Sequence, residues 1–212
     1  MKNILCYGDS NTWGWIPGQP DCRHPYDVRW TGRLQKMLGD GYRVLEAGLN
    51  GRTTVWEDPQ TPNRNGRAHL AASLEMQRPL DLVILMLGTN DTKVRFSATA
   101  RDITNGMAEL IKIVRAYPYT PPVPPEILIV APMPVREGCM NWPMGETFGE
   151  TAMEKSRRLG EYYAALAKDM GCHCADASAW GQTSDTDGIH MTAETHAKFA
   201  DGIYKKVKEI LG

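Results

Sequence analysis

Ser10 follows the apolar run Ile4-Leu5-Cys6-Tyr7 and the pair Gly8-Asp9, and His190 closes the segment Asp187-Gly188-Ile189-His190 near the other end of the chain. A serine hydroxyl is a weak nucleophile at neutral pH and needs a neighbouring base to take its proton. A serine at the carboxyl end of a first strand stands where open α/β sheets bind their ligands. An Asp-x-x-His element far downstream can bring the base. Two carboxylates compete for the place beside the imidazole, because Ser184-Asp185-Thr186-Asp187 offers both Asp185 and Asp187.

Acyl transfer also needs hydrogen-bond donors aimed at the oxyanion that develops on the attacked carbonyl. Three positions can supply them: the backbone N–H of Ser10, the backbone N–H of Gly51, and the side-chain amide of Asn90 in Gly88-Thr89-Asn90-Asp91. Glycine suits a tight turn whose backbone must approach a ligand closely.

These residues need a scaffold that brings the ends of several strands together. Lys2-Tyr7 reads as a first buried strand, Tyr42-Glu46 as a second, Leu80-Leu87 as a central third, Glu126-Ala131 as a fourth and Cys172-Asp176 as a short fifth. Between them, apolar residues recur at helical spacing. One such face joins Trp30, Leu34, Met37 and Leu38, and another Ile103, Met107, Leu110, Ile111 and Val114. Helices are also predicted over Thr151-Met170 and Thr192-Leu211. The alternation implies an α/β fold, a flavodoxin-like three-layer α/β/α sandwich around a parallel five-stranded sheet, in a single domain over residues 1–212. Ser10, Gly51 and Asn90 each follow a strand, so all three meet at one sheet edge. Three irregular stretches interrupt the pattern: Glu57-Ala68, the proline-rich Tyr117-Pro125, and Met133-Glu150 with Trp142 and Phe148. Long loops on a compact domain shape pockets or subunit contacts.

The chain has 212 residues, enough to bury a full core without disulfides or metals. Its net charge of -1 gives no electrostatic case for nucleic acid or an anionic membrane. There is no apolar stretch long enough for a transmembrane helix and no secretory signal pattern. An odd set of five scattered cysteines suits reduced thiols in the cytoplasm. Cys172 and Cys174 share one face of a strand with His173 on the other, and no second Cys or His cluster completes a zinc site. Neither a metal nor an organic cofactor is expected.

At the residues named, the chain resembles the SGNH hydrolases of the GDSL esterase/lipase group. The four marker residues of that family match Ser10, Gly51, Asn90 and His190, in order. Gly8-Asp9-Ser10-Asn11-Thr12-Trp13-Gly14-Trp15, Val28-Arg29-Trp30-Thr31-Gly32, Gly51-Arg52-Thr53-Thr54 and Met86-Leu87-Gly88-Thr89-Asn90-Asp91-Thr92-Lys93 are similar to its bacterial arylesterase/acyltransferase, or perhydrolase, branch. The resemblance runs from about Lys2 to His190. It implies Ser10 as nucleophile, His190 as general base and then acid, and Asp187 as the residue that orients the imidazole. It implies an oxyanion hole of Ser10, Gly51 and Asn90. Spacing and resemblance together favour Asp187 over Asp185. Asn11 departs from the family's usual leucine, at a position with no chemistry. The absence of a Gly-x-Ser-x-Gly elbow argues against the α/β-hydrolase fold.

The same resemblance implies a serine esterase for short acyl groups on aryl or alkyl alcohols. It implies transfer to alcohols or hydrogen peroxide beside hydrolysis, a small-molecule substrate, and a homo-oligomer assembled through Glu57-Ala68 and Met133-Glu150. Trp13, Trp15, Arg52 and Lys93 are candidate substrate contacts by their nearness in sequence to the marker residues. Asp9 and Asp91 are expected to make structural hydrogen bonds, and His24, His69 and His196 to serve packing or the surface. Carbohydrate O-acetyl esterase, lysophospholipase or thioesterase activity fits the same fold. A non-catalytic binding module is the reading from another class, disfavoured by Ser10, Asp187 and His190 together.

Overall fold

The computed structural model describes residues 1–141 and 144–212. Trp142 and Pro143, part of the third irregular stretch, lie outside the described residues. Five strands form one parallel sheet in the order β2-β1-β3-β4-β5. They are β1 (Lys2–Gly8), β2 (Tyr42–Gly48), β3 (Leu82–Met86), β4 (Glu126–Ala131) and β5 (His173–Asp176). The helices are α1 (Ser10–Trp13), α2 (Trp30–Leu38), α3 (Gly66–Gln77), α4 (Ala100–Ala116), α5 (Met144–Met170) and α6 (Ala193–Leu211). No described helix is long and apolar enough to cross a membrane.

The alternation of side chains along each strand sorts the core into two layers. Leu5, Tyr7, Val83, Leu85, Ile127 and Ile129 pack with α3, α4 and α5 on one face. Ile4, Cys6, Leu82, Ile84, Leu128 and Val130 pack with α2 and α6 on the other. The apolar periods read from the sequence account for most of this. All five predicted residues of α4 are buried, and Thr99 with Asp102 closes its start as a reciprocal capping box. In α2, Trp30 and Leu34 are buried, but Met37 turns outward. In α5, Leu159 and Tyr163 face the core, while Tyr162, Leu166 and Met170 pack at its margin.

Two elements differ from the expected pattern. Helix α3 begins at Gly66, capped by the Asn65 side chain, and runs where no helix was predicted. Only Leu70 and Leu74 bury an apolar side chain within it, so its helical period is too sparse to read. Helix α5 starts at Met144 rather than Thr151, with a break at Gly149, whose φ of 64° lies in the left-handed region. The extra turns belong to a small third core in which Val135, Cys139, Phe148, Ala152 and Ile189 meet. That cluster lays Val135, Cys139 and Phe148 directly against the loop that carries His190.

The sheet order reverses at β1, which pairs with β2 on one side and β3 on the other. Ligands in open α/β sheets bind at such a switch point, beyond the carboxyl ends of the strands. Ser10 leaves β1 there, Gly51 leaves β2 and Asn90 leaves β3.

Candidate active site

Ser10 opens α1, a single helical turn held by Asp9, whose Oδ1 accepts the Asn11 N–H at 2.9 Å. The turn is short because Gly14 leaves it at a φ of 95°. It is pressed close to the end of β2: a Cβ on Gly48 would collide with the backbone of Trp13. Ser10 Oγ lies 2.9 Å from His190 Nε2, and His190 Nδ1 lies 2.8 Å from Asp187 Oδ2. The other oxygen, Oδ1, accepts the backbone N–H groups of Ile189 and His190, each at 3.0 Å. Burial alone would raise the Asp187 carboxyl. The hydrogen bonds from His190 and from the two backbone amides outweigh it and hold Asp187 below its ordinary value. Asp187 is therefore a charged acceptor that fixes the imidazole with Nδ1–H toward itself and Nε2 toward the serine. Asp185 points the other way: its exposed carboxylate pairs with Arg136.

Trp15 stacks on the imidazole, with ring centroids 5.4 Å apart and an interplanar angle of 24°. Asn11 holds the same loop from below. Its Nδ2 donates to the Ile189 carbonyl at 3.1 Å and its Oδ1 accepts the Met191 N–H at 2.9 Å. The amide thus clamps the backbone on both sides of His190. This positioning role went unseen in the sequence, because the partners are 178 and 180 residues away. The nearest available signal was the departure from leucine at this position.

The three expected oxyanion donors, Ser10, Gly51 and Asn90, line one cleft from three strand ends. Gly51 adopts a φ of 77°, where a side chain is disfavoured. Asn90 Nδ2 donates to the Arg52 carbonyl at 3.1 Å, which fixes the amide beside the Gly51 turn. A primary amide carries two N–H donors, so one remains for a ligand. Among the described residues, neither the Ser10 N–H nor the Gly51 N–H donates to another protein group. Asp91 anchors the following segment, accepting both the Thr54 N–H, at 2.8 Å, and the Thr54 hydroxyl. Asp9 and Asp91 are buried, and desolvation pushes each carboxyl up to about 6 despite the hydrogen bonds that oppose it.

A cleft of about 510 Å³ opens above Ser10, with Gly51, Asn90, Trp15 and His190 among its lining residues. Of the four expected substrate contacts, Trp15 and Lys93 line it and Trp13 and Arg52 do not. Trp13 packs beside Trp15 and under Arg23, behind the cleft wall. Arg52 is buried with its guanidinium over the Tyr7 ring, and its Nη1 donates to the carbonyls of Gly8 and Ala47. It ties the ends of β1 and β2 together and is structural, because nearness in sequence to Gly51 does not decide which way a side chain turns. Lys93 is held by the buried Asp58 at 3.3 Å. His196 is fully buried behind the site, accepts the Trp30 N–H and packs edge-on against His24. His173 sits on an exposed edge against Glu126. Among the described residues, no group of three or more His, Cys, Asp or Glu side chains is placed to hold a metal ion.

The fold and this arrangement define an α/β/α sandwich with a serine–histidine–aspartate hydrogen-bond chain at the carboxyl edge of its sheet. Comparison with known proteins gives the class a family. The sequence model of the GDSL-like lipase/acylhydrolase family matches residues 6–198, and the chain belongs to that family, the SGNH hydrolases. Among solved structures it is similar to Est24, a carbohydrate acetylesterase from Sinorhizobium meliloti, at 41% identity with a TM-score of 0.94 and both chains covered in full. The native aryl esterase of M. smegmatis is equally close in shape, with 40% identity, a TM-score of 0.94 and both chains covered in full. An acetylxylan esterase of Xylanibacter ruminicola is 25% identical over 219 residues, covering 97% of this chain. The match spans 43% of that longer protein.

Proposed function

We propose that this protein is a serine ester hydrolase that cleaves short-chain, acetyl-type esters of aryl or alkyl alcohols through an acyl-serine intermediate. One observation carries the reading: the unbroken chain from Ser10 Oγ through His190 to Asp187, with both links under 3 Å. In this mechanism His190 Nε2 takes the Ser10 proton as Oγ attacks the ester carbonyl. The resulting oxyanion meets the N–H groups of Ser10 and Gly51 and the Asn90 amide. The protonated imidazole, stabilised by Asp187, then gives its proton to the departing alcohol. Water repeats the sequence in reverse and releases the acid. An alcohol or hydrogen peroxide in place of water gives a new ester or a peracid, so acyl transfer is part of the proposal. The names of the two similar solved esterases support the acetyl and aryl classes. A carbohydrate O-acetyl esterase is the second reading, favoured by Asn50, Gln60 and Thr61, which line the cleft with groups able to bond sugar hydroxyls. The five free thiols suit a reducing compartment. The 57–68 and 133–150 loops are the surfaces proposed for self-assembly.

The test is hydrolysis of p-nitrophenyl acetate, butyrate and octanoate by the wild type and Ser10→Ala, with and without methanol. Acetate should turn over fastest, the mutant should be inactive, and methyl acetate should form when methanol is present. Wild-type inertness on all three esters, with activity on an acetylated sugar, would move the assignment to the carbohydrate reading.

A further inference from the structure

The cleft above Ser10 is lined by two chemically different sets of side chains, the apolar Trp15, Met144, Phe148 and Ile189 and the cationic Arg64, Lys93 and Arg95. Two of these cations are already committed. Asp58, fully buried, holds Lys93 Nζ at 3.3 Å and Arg95 Nη1 at 3.0 and 3.2 Å. Asp21, on an exposed loop, is the one carboxylate lining the cleft among the described residues.

Arg64 is different. It pairs with no carboxylate among the described residues. Its Nη1 reaches only the carbonyls of Pro62 and Asn63, at 3.3 and 3.5 Å, and its Nε is buried without an acceptor. Its stem passes the oxyanion turn: a Cβ on Gly51 would lie 3.7 Å from Arg64 Cδ. Its Nη2 donates to no protein group among the described residues, so an anion in the cleft can take that end of the guanidinium. The guanidinium fork also matches a carboxylate with two parallel hydrogen bonds. Lys93 and Arg95 also line the cleft, but both already bond Asp58, which leaves Arg64 as the uncommitted cation among the described lining residues.

We propose that the cleft selects esters bearing a carboxylate close to the scissile bond, and that Arg64 is the residue that binds it. The proposal rests on the ester-hydrolase reading and specifies its substrate class. Ser10 chemistry is unchanged; the carboxylate is an anchor and takes no part in bond making.

The experiment compares charged and neutral partners of equal shape. The pairs are 3-acetoxybenzoate against 3-acetoxybenzamide, for an anion on the alcohol, and phenyl hemisuccinate against phenyl succinamate, for an anion on the acyl chain. In the wild type, kcat/KM for the charged member of at least one pair should exceed the neutral one by about tenfold, chiefly through KM, and the ratio should shrink as salt is added. Arg64→Gln should cut that ratio about fivefold or more, and Arg64→Lys should retain part of it because it keeps the charge without the fork. The pair that shows the advantage locates the carboxylate on the alcohol or on the acyl side, and either supports the proposal. A ratio near one in both pairs overturns it, as does a salt-independent ratio or one that Arg64→Gln leaves intact. No turnover of any of the four esters would instead sink the ester-hydrolase reading beneath it.

Discussion

On the nucleophile side of the cleft, Asp187, Ile189 and His190 lie within one turn of chain, and the Asp187 carboxylate takes three hydrogen bonds from the other two. On the oxyanion side, Gly51 and Asn90 arrive from β2 and β3, strands that do not touch each other because β1 runs between them. Their contact is made after the sheet is assembled, through Asn90 Nδ2 on the Arg52 carbonyl and Asp91 on Thr54. Buried polar atoms without a protein partner among the described residues flank both sides: Asp9 Oδ2, Thr12 Oγ1 and His196 Nε2 on the first, and Asp91 Oδ2, Thr89 Oγ1 and Arg52 Nε on the second. The proposed base is thus oriented chiefly by hydrogen bonds within its own loop, with Asn11 as a distant clamp, whereas the proposed oxyanion donors are brought together only by strand register.

If that contrast is right, the two sides should fail differently. Asp187→Asn should have the largest effect, because an amide in place of the carboxylate no longer fixes the Nδ1–H tautomer or stabilises the imidazolium. We expect kcat on a short-chain aryl ester to fall by about 10⁴. Retention of a tenth of wild-type activity would mean that the local chain is not what orients His190.

Asn90→Ala comes next. It deletes one of three donors and leaves the serine–histidine link in place, so kcat should fall by about 10²–10³ with a smaller change in KM. It also removes the bond to the Arg52 carbonyl, so the Gly51 turn should loosen. Hydrogen exchange at the amides of residues 51–54 would report that loosening. Equal losses in Asn90→Ala and Asp187→Asn would erase the distinction between the two sides.

The same division explains what the sequence made legible. Asp-x-x-His is a local spacing, and Ser10 follows an unmistakable strand, so the hydrogen-bonded chain could be read directly. All five strands could be read because a parallel sheet buried on both faces writes continuous apolar runs. Helix α3 could not, since Leu70 and Leu74 are its only buried large apolar residues. Long-range contacts were also hidden. Asn11 looks inert until the fold brings Ile189 and Met191 to it. Arg52 and Trp13 look like cleft residues until Arg52 is seen to turn inward over Tyr7 and Trp13 to pack under Arg23. Arg64 carries no motif, and only its unpaired Nε beside the Gly51 turn sets it apart.

The smallest effect is a stability effect, and it tests the cost of burying Asp91 on the oxyanion side. Asp9 and Asp91 ionise at about 6 in the folded protein, against an ordinary value of 3.8. Between about pH 4 and 6 the folded state therefore holds protons that the unfolded chain has released, and their contribution to stability falls as pH rises. His196, behind the nucleophile side, runs the opposite way. Burial, with further repulsion from His24, Arg33 and Arg29, lowers it from 6.5 to about 3, so its contribution is present above 6.5 and is lost on acidification. In the wild type the two slopes oppose each other. Asp91→Asn should separate them, because the amide can still accept from Thr54 at Oδ1 but cannot ionise. Relative to the wild type, the variant should gain up to roughly 3 kcal/mol as pH rises from 4 to 7, the equivalent of a move from 3.8 to about 6. Part of the gain comes through Asp9, which no longer faces a second carboxylate. Urea unfolding at several pH values checks it. A difference between variant and wild type that stays flat across that range would show that Asp91 ionises as it does in an unfolded chain, and the oxyanion side would then carry no such cost.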